Sequence, residues 1–157
     1  MIETLENRRD FIIKSLTAAG ITLCAGTLTS LVTACENTAK VASITGPYDI
    51  NVKDYHELDN IGGVKVLNIP NHNAGLNVFI IRVDDNTFLV LSSKCGHEGT
   101  QVNLIGGGRF LCPNHGALYF SNGKVNIGAN GGKDKTNDLQ SFSNTYDQLS
   151  GKLTINF

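Results

Sequence analysis

The chain has 157 residues, of which 13 are lysine or arginine and 14 are aspartate or glutamate, giving a formal net charge of -1. This balance provides no concentrated basic surface, so nucleic-acid binding is not an expected function. About 110 residues remain beyond a predicted export segment and linker, which is enough for one compact domain with a single core and too few for two.

The export segment is the first element in the chain. Arg8 and Arg9 precede an aromatic residue, two isoleucines and Lys14, and the following run, 15–34, carries no charge. Paired arginines in this setting resemble a twin-arginine signal, which directs the export of proteins that are already folded. The sequence therefore predicts that residues 1–34 form an N-terminal signal or anchor helix.

The uncharged run ends at a predicted lipidation site. Residues 32–35 read Val-Thr-Ala-Cys and resemble a bacterial lipobox, in which Cys35 is lipidated and becomes the new N-terminus. Several acyl chains, at ~0.8 kcal/mol per buried methylene, anchor a protein stably. Residues 35–48 are then a lipidated N-terminus and linker, and the protein is held on the exported side of a membrane in the bacterial cell envelope. The alternatives are an uncleaved helix that spans the bilayer and simple cleavage with release.

Antiparallel β structure is predicted for the remaining domain, 49–157. Alternating or β-branched runs separated by turn residues predict strands at 64–69, 78–83, 88–91 and 153–157. Turns are predicted at 84–86, 106–108 and 121–123. No helical apolar period of useful length follows the signal, and the segment 128–138 is predicted to be a polar, glycine-rich and mobile loop.

Two short motifs indicate a metal site. Cys95-Gly96-His97 and Cys112-Pro113-Asn114-His115 are separated by the fourteen residues 98–111. Two thiolates and two imidazoles suit tetrahedral zinc, or an iron-sulfur cluster in which histidines replace cysteines on one iron. A zinc site most often pairs two cysteines in one loop and the histidines elsewhere, whereas here each loop offers one of each. Each loop can therefore give one ligand to each of two irons.

The motifs C-x-H and C-x-x-H resemble the signature of the Rieske iron-sulfur proteins. The resemblance is specific from Lys94 to Val125 and extends more loosely over about 49–157. It implies an all-β fold, a Rieske-type antiparallel β-sandwich with a small cluster-binding subdomain, and one [2Fe-2S] cluster per chain. It also implies that the inner iron is bound by Cys95 and Cys112 and the outer iron by His97 and His115, near the surface where electrons leave.

The sequence departs from the high-potential members of that family. Those members carry a disulfide between the two loops, at the places that hold Thr100 and Asn114 here, and a serine at the place of Ala117. Tyr119 remains as a hydroxyl donor that tunes the cluster. We expect a reduction potential below the top of the roughly -150 to +300 mV Rieske range. Only Pro113 lies near the site, so a softer shield over the cluster is also expected.

The other cysteines and histidines receive no ligand role. Cys24 lies within the signal and Cys35 takes lipid, which leaves no structural disulfide to form. His56 and His72 have polar neighbours and no ligand-like partner at short spacing, so both are predicted to be surface residues.

The predicted function is one-electron transfer by a membrane-attached, exported redox protein or oxidoreductase subunit, rather than by a complete enzyme. Its partners are expected to be redox proteins, such as a cytochrome or an oxidoreductase subunit. No small-molecule substrate pocket is evident, and no mononuclear iron site of two histidines and a carboxylate is expected.

Two alternative functions remain open. The chain could be the Rieske subunit of a quinol:cytochrome c oxidoreductase, although the absent loop disulfide and Ala117 argue against this. It could also be a zinc-stabilised binding lipoprotein without redox activity.

Overall fold

The computed structural model of the chain describes residues 45–157, so the predicted signal segment and the lipidation site Cys35 lie outside the described residues. The described residues form ten strands: β1 (Pro47–Asn51), β2 (Val64–Asn68), β3 (Asn77–Arg82), β4 (Phe88–Ser92), β5 (Asn103–Ile105), β6 (Arg109–Leu111), β7 (Leu118–Tyr119), β8 (Val125–Ile127), β9 (Ser141–Asp147) and β10 (Lys152–Asn156). The helical pieces among them are short 3-10 turns (Val52–Asp54, His56–Leu58, Asn73–Gly75 and Gly106–Gly108) and one helical turn, α1 (Ala129–Gly132). Within this part of the chain, no helix is long and apolar enough to cross a membrane.

Six strands form one antiparallel sheet in the order β1-β10-β9-β4-β3-β2. The two halves of the sheet join where β4 pairs with β9 through Val90 opposite Phe142 and Leu91 opposite Ser141. All six strands contribute side chains to one core, so the sheet curls around that core rather than lying flat. The contributing side chains are Ile50, Leu67, Val78, Ile80, Phe88, Val90, Phe142, Leu153 and Ile155.

Strand β3 is a wall shared by two cores. Successive strand residues point to opposite faces, so Val78 and Ile80 face the first core while Phe79 and Ile81 face a second one. Both faces are therefore buried, which explains why the sequence of β3 is almost continuously apolar.

A second, smaller sheet closes the other core. Its order is β5-β6-β7-β8, all antiparallel, and Phe110 pairs with Tyr119 across β6 and β7. The rings of Phe79 and Phe110 stack with centroids 4.3 Å apart and so join the two sheets. Cys95 and Cys112 belong to this second core, which places the predicted metal ligands between the sheets.

The all-β, antiparallel prediction is confirmed. Each strand predicted from alternation exists within about one residue of its expected bounds, and the turn at 84–86 joins β3 to β4. The short strands β5 to β8 were not predicted because two or three residues are too few to display a period. Strand β9 was not predicted because its sequence, SFSNTYD, is largely polar.

The prediction that His72 lies on the surface is wrong. Its ring is buried against Tyr48 and Phe157, at centroid distances of 5.5 and 4.7 Å. Its Nδ1 lies 2.9 Å from the carbonyl oxygen of Pro70, which can only accept, so Nδ1 is the donor. The aromatic partners come from the two ends of the domain, a long-range contact that neighbouring residues in sequence do not reveal. His56 is exposed, as predicted.

Candidate metal centre

The first ligand loop follows β4 and is closed by backbone hydrogen bonds. The N–H of Cys95 donates to the carbonyl of Thr100 at 2.9 Å, and the N–H of Gly99 donates to the carbonyl of Cys95 at 3.0 Å. Gly99 has a φ of +76°, a conformation that favours glycine. Lys94 and Gln101 pair across the base of the loop, which fixes Cys95 and His97 at its tip.

The second ligand loop joins β6 to β7 and repeats the same arrangement. The N–H of Cys112 donates to the carbonyl of Ala117 at 2.8 Å, and that of Gly116 donates to the carbonyl of Cys112 at 3.1 Å. Gly116 has a φ of +70°. In both loops the cysteine N–H donates to the carbonyl of the residue five positions later, and the cysteine carbonyl accepts from the N–H of the residue four positions later. The two motifs of the sequence are therefore two copies of one local structure.

The two cysteines lie side by side in the buried layer between the sheets. Both are free thiols, and both belong to the second core. Burial acts to raise the pKa of Cys95, but the Tyr119 hydroxyl and nearby backbone N–H groups outweigh burial, so that this pKa is lowered. Burial raises the pKa of Cys112. The hydrogen bonds that favour the thiolate are thus concentrated on Cys95.

Tyr119 is placed to donate to the sulfur of Cys95. Its hydroxyl oxygen is 3.3 Å from Cys95 Sγ and accepts a hydrogen bond from the Gly96 N–H at 3.0 Å. Because the N–H uses an acceptor site of the oxygen, the hydroxyl proton is free to point at the sulfur. Burial, followed by the contact with Cys95, raises the pKa of Tyr119, which keeps this proton on the hydroxyl.

The two histidines meet at the outer side of the cysteines. His97 Nδ1 lies 3.1 Å from His115 Nδ1, and 16% and 31% of the respective side chains are exposed. Nitrogen ligands that sit about 2.1 Å from one metal at a tetrahedral angle are about 3.4 Å apart. The observed separation is close to that value, so the two Nδ1 atoms lie near enough to each other to bind one metal.

The donor set fits a [2Fe-2S] cluster of the mixed type. Two buried sulfurs lie on the inside and two partly exposed imidazole nitrogens on the outside. A thiolate pair for one iron and an imidazole pair for the other is the arrangement that such a cluster requires.

Two carboxylates stand beside the histidines, and the sequence analysis did not anticipate them. Glu98 Oε2 lies 3.5 Å from His115 Nδ1, and Asp134 Oδ2 lies 3.7 Å from His97 Nε2. Glu98, His97 and His115 place three donor atoms within 4.8 Å of one another. Two histidines and a carboxylate do therefore meet, and both imidazoles are the ones that the cysteine loops carry. The only sequence signal was that Glu98 directly follows His97.

The segment 128–138, which the sequence predicted to be a mobile loop, lies against both ligand loops. Its backbone donates to both ligand loops, from Asn130 to the His115 carbonyl at 2.8 Å and from Asn137 to the Gly96 carbonyl at 3.2 Å. A β-carbon on Gly96 would lie 2.0 Å from the Asn137 carbonyl oxygen, so only glycine fits at the centre of the C-x-H motif. Close packing replaces the proline-based stiffness that the chain lacks here.

A surface depression of about 230 Å³ lies away from these ligands. It lies between strands β3 and β4 and two nearby turns. The residues that line it are Ile61, Gly62, Ile81, Arg82, Val83, Leu89, Ser121 and Asn122. None of the four candidate ligands lines it. Its position gives no reason to assign a substrate to the metal centre.

The sequence of the chain matches one protein family. Residues 50–141 match the family described as the Rieske [2Fe-2S] domain. No curated protein sequence matches that of the chain. The solved structures similar to it include the cyanobacterial plasma membrane Rieske protein PetC3 from Synechocystis PCC 6803, at 24% identity and a TM-score of 0.45, covering 60% of this chain and 87% of that one.

Two oxygenase structures are also similar. The fluorene-bound oxygenase and ferredoxin complex of carbazole 1,9a-dioxygenase gives 20% identity and a TM-score of 0.50, covering 75% of this chain and 30% of that one. The quaternary ammonium Rieske monooxygenase CntA, in complex with an inhibitor, gives 17% identity and a TM-score of 0.50, and the match covers 73% of this chain and 32% of that one. The chain thus spans about a third of each oxygenase chain, and at these identities the likeness concerns the fold. Because the family match covers more than half of the sequence, the chain belongs to the Rieske [2Fe-2S] domain family, whose domain binds a [2Fe-2S] cluster and transfers electrons.

Proposed function

We propose that Cys95 and Cys112 bind the inner iron of the cluster and that His97 and His115 bind the outer iron through Nδ1. The observation that carries this assignment is the 3.1 Å approach of the two Nδ1 atoms, from two loops with the same local structure. The burial of the two cysteines and the partial exposure of the two imidazoles support it further.

When bound at these residues, the cluster supplies one-electron redox chemistry. The chain's own groups then have separable tasks. The buried layer keeps water from the cysteine sulfurs, Tyr119 donates to Cys95 Sγ, and the two imidazoles form the part of the site that reaches solvent. Electrons therefore enter and leave at the histidine edge, where a partner protein can approach most closely.

Iron and acid-labile sulfide analysis of the purified full-length chain tests the ligand set. The wild type is expected to contain two irons and two sulfides per chain, and Cys95→Ser and Cys112→Ser are expected to lose most of both. His56→Gln is a matched control, because this exposed histidine lies outside the site and its loss should change nothing. Purified protein that contains zinc and no iron would contradict the assignment and favour a structural zinc site.

We also propose that the mature protein is attached to a membrane on its exported side by lipid on Cys35. The supporting sequence features are the paired Arg8 and Arg9, the uncharged run 15–34 and the lipobox-like residues that end at Cys35. No structural disulfide is predicted, so folding of the domain does not require an oxidising compartment. Export of the already folded domain is therefore compatible with insertion of the cluster before transport.

Fractionation of cells that express the full chain tests this attachment. Wild-type protein is expected in the membrane fraction with a mass reduced by the signal and increased by lipid. Cys35→Ala should remove the lipid and block processing at the lipobox, whereas the control Cys24→Ala should behave as wild type. A Cys35→Ala protein of unchanged mass that remains in the membrane would instead support an uncleaved spanning helix.

The partners that this function requires are other redox proteins. The histidine edge is partly exposed and does not line the 230 Å³ depression, which favours contact with a protein surface. The carbazole 1,9a-dioxygenase structure is itself a complex of an oxygenase with a ferredoxin, an example of a similar fold that works with a protein partner. Copurification with a cytochrome b would instead support a role in a quinol:cytochrome c oxidoreductase.

A further inference from the structure

The two ligand loops carry no covalent link to each other. The places at which high-potential Rieske proteins form a disulfide hold Thr100 and Asn114, and the two cysteines of the described residues are both free. Across the gap, the Asn114 amide donates to Glu98 Oε2 at 3.3 Å, but both side chains are exposed and such a bond stabilises little. Without a covalent link, the position of the two loops depends on packing in the second core and on contacts with other segments.

A third segment contacts both loops at their centres. We name residues 128–137 the bracket loop. The N–H of Asn130 donates to the carbonyl of His115, and the N–H of Asn137 donates to the carbonyl of Gly96, which lies between Cys95 and His97. One end of the bracket loop is therefore fixed to each ligand loop. The distance between the ligand loops depends on the bracket loop keeping its own shape.

Thr136 holds the two ends of the bracket loop together. Its Oγ1 accepts a hydrogen bond from the N–H of Ala129 at 2.9 Å and donates to the carbonyl of Asp134 at 3.2 Å. Ala129 is fully buried, so its N–H has no water to turn to if the hydroxyl is lost. The N–H of Asp134 in turn donates to the Ala129 carbonyl at 3.2 Å, which completes a closed set of bonds.

Asn130 supports the same closure from the other end. Its φ is +53°, in the left-handed region that asparagine tolerates better than most residues. Its side-chain amide donates to the carboxylate of Asp134, and that carboxylate also lies 3.7 Å from His97 Nε2. The polar side chains that made this segment resemble a mobile loop are the ones that fix it.

We propose that Thr136 is a positioning residue that closes the bracket loop over both ligand loops, and that this non-covalent bracket takes the place of the missing disulfide. This inference rests on the proposed ligand set, because the bracket matters to the cofactor only if the loops it joins hold the cluster. The expected consequence is slow loss of the cluster to solvent in the wild type and faster loss when the bracket opens.

The test compares two variants at one position in the full-length, cluster-loaded protein. Thr136→Val keeps the shape of the side chain and removes the hydroxyl, while Thr136→Ser keeps the hydroxyl. Bleaching of the visible absorbance in excess iron chelator is expected to be about 5- to 30-fold faster for Thr136→Val, the factor that corresponds to one lost hydrogen bond to a buried N–H. Thr136→Ser is expected to stay within about twofold of the wild type.

Thr154→Val is the matched control. Thr154 has a similar partial exposure, and its hydroxyl donates to Asp49 in the six-stranded sheet, remote in the fold from the ligand loops. Both valine variants replace a hydrogen-bonded threonine hydroxyl by a methyl group, but only Thr136→Val should accelerate bleaching. Equal bleaching of Thr136→Val and Thr136→Ser, or equal acceleration by Thr154→Val, would overturn the bracket.

A second variant keeps the proposal testable if Thr136→Val does not fold. Asn130→Ala loses the side-chain hydrogen bond to Asp134 and places a residue with a β-carbon at a positive φ, which strains the backbone. Asn130→Gly loses the same hydrogen bond, but glycine adopts a positive φ without strain. Bleaching is expected to be fastest for Asn130→Ala and intermediate for Asn130→Gly, and wild-type rates for both would contradict the proposal. A wild-type protein without any iron would count against the ligand set instead.

Discussion

At the scale of single residues, the candidate site combines residues that belong to a sequence motif with residues that only the fold brings close. Local motifs alone singled out the four candidate ligands and Tyr119, and the structure brings these residues together at one site. Glu98 and Asp134 could not be placed from the sequence, because their contacts with the histidines depend on how separate loops approach each other. His72 shows the same difficulty, since its aromatic neighbours lie far away in sequence.

Replacement of Tyr119 by phenylalanine should lower the reduction potential. The lost hydroxyl donates to Cys95 Sγ, and a donor stabilises the reduced cluster more than the oxidised one. A difference of about 1.4 kcal/mol between the two states corresponds to about 59 mV for one electron. Spectroelectrochemical titration measures this shift. Tyr146→Phe, which alters a tyrosine packed on Phe88 in the other core, should leave the potential unchanged.

Replacement of Glu98 by glutamine should raise the reduction potential. The carboxylate lies beside His115, and a negative charge there opposes the arrival of an electron. The side chain is about half exposed, so solvent screens its charge and the expected shift is on the order of 20 mV, from ~0.5 kcal/mol. The shift should shrink as salt concentration rises. A downward shift, or one that salt does not affect, would argue against this electrostatic role.

At the scale of strands and loops, β3 connects stability to the site. Apolar alternation predicted β2, β3, β4 and β10, since period and composition are local properties of a strand, but it missed the longer and largely polar β9. The two-sided burial of β3 and the closed bracket loop could not be predicted in this way. Both depend on a second layer, the small sheet in one case and the ligand loops in the other.

Replacement of Phe79 by alanine should destabilise the fold by roughly 3–5 kcal/mol, the usual cost of removing a buried aromatic ring. The ring stacks on Phe110, so the loss also separates the two sheets that enclose the cysteines. Urea unfolding of the cluster-loaded protein measures the change. Phe120→Ala is the comparison, because that ring is 45% exposed and its removal should cost much less. Similar losses for the two variants would refute the shared-wall description.

At the scale of the whole molecule, the described domain relies on apolar packing, loop hydrogen bonds and its cofactor. Both cysteines are free, so no covalent link supports the site within residues 45–157. The sequence predicted that no structural disulfide forms, because it assigned Cys24 to the expected signal, Cys35 to the expected lipid anchor and the other two cysteines to iron. Metal ligation stabilises the folded state alone, since the unfolded chain does not bring the four ligands together.

Removal of the cluster should therefore lower the melting temperature of the protein, whereas a thiol reductant should not. A loss of about 2 kcal/mol corresponds to a decrease of roughly 8 °C, given an unfolding entropy of about 2.1 cal/mol/K per residue over the described domain. Differential scanning calorimetry before and after chelation measures it. Dithiothreitol alone, at concentrations that leave the visible absorbance intact, is the control. A large decrease with the reductant and none with the chelator would indicate a covalent link that the described residues do not contain.

The most direct test of the central claim is electron paramagnetic resonance of the dithionite-reduced, full-length protein, prepared with and without ¹⁵N-labelled histidine. The account predicts a rhombic signal with the low average g value of a histidine-ligated [2Fe-2S] cluster. Pulsed spectra should then show couplings to two nitrogens that change with the isotope, and His97→Cys or His115→Cys should remove one of them. A signal with no histidine nitrogen coupling, or a colourless protein that contains zinc and gives no signal, would contradict the account.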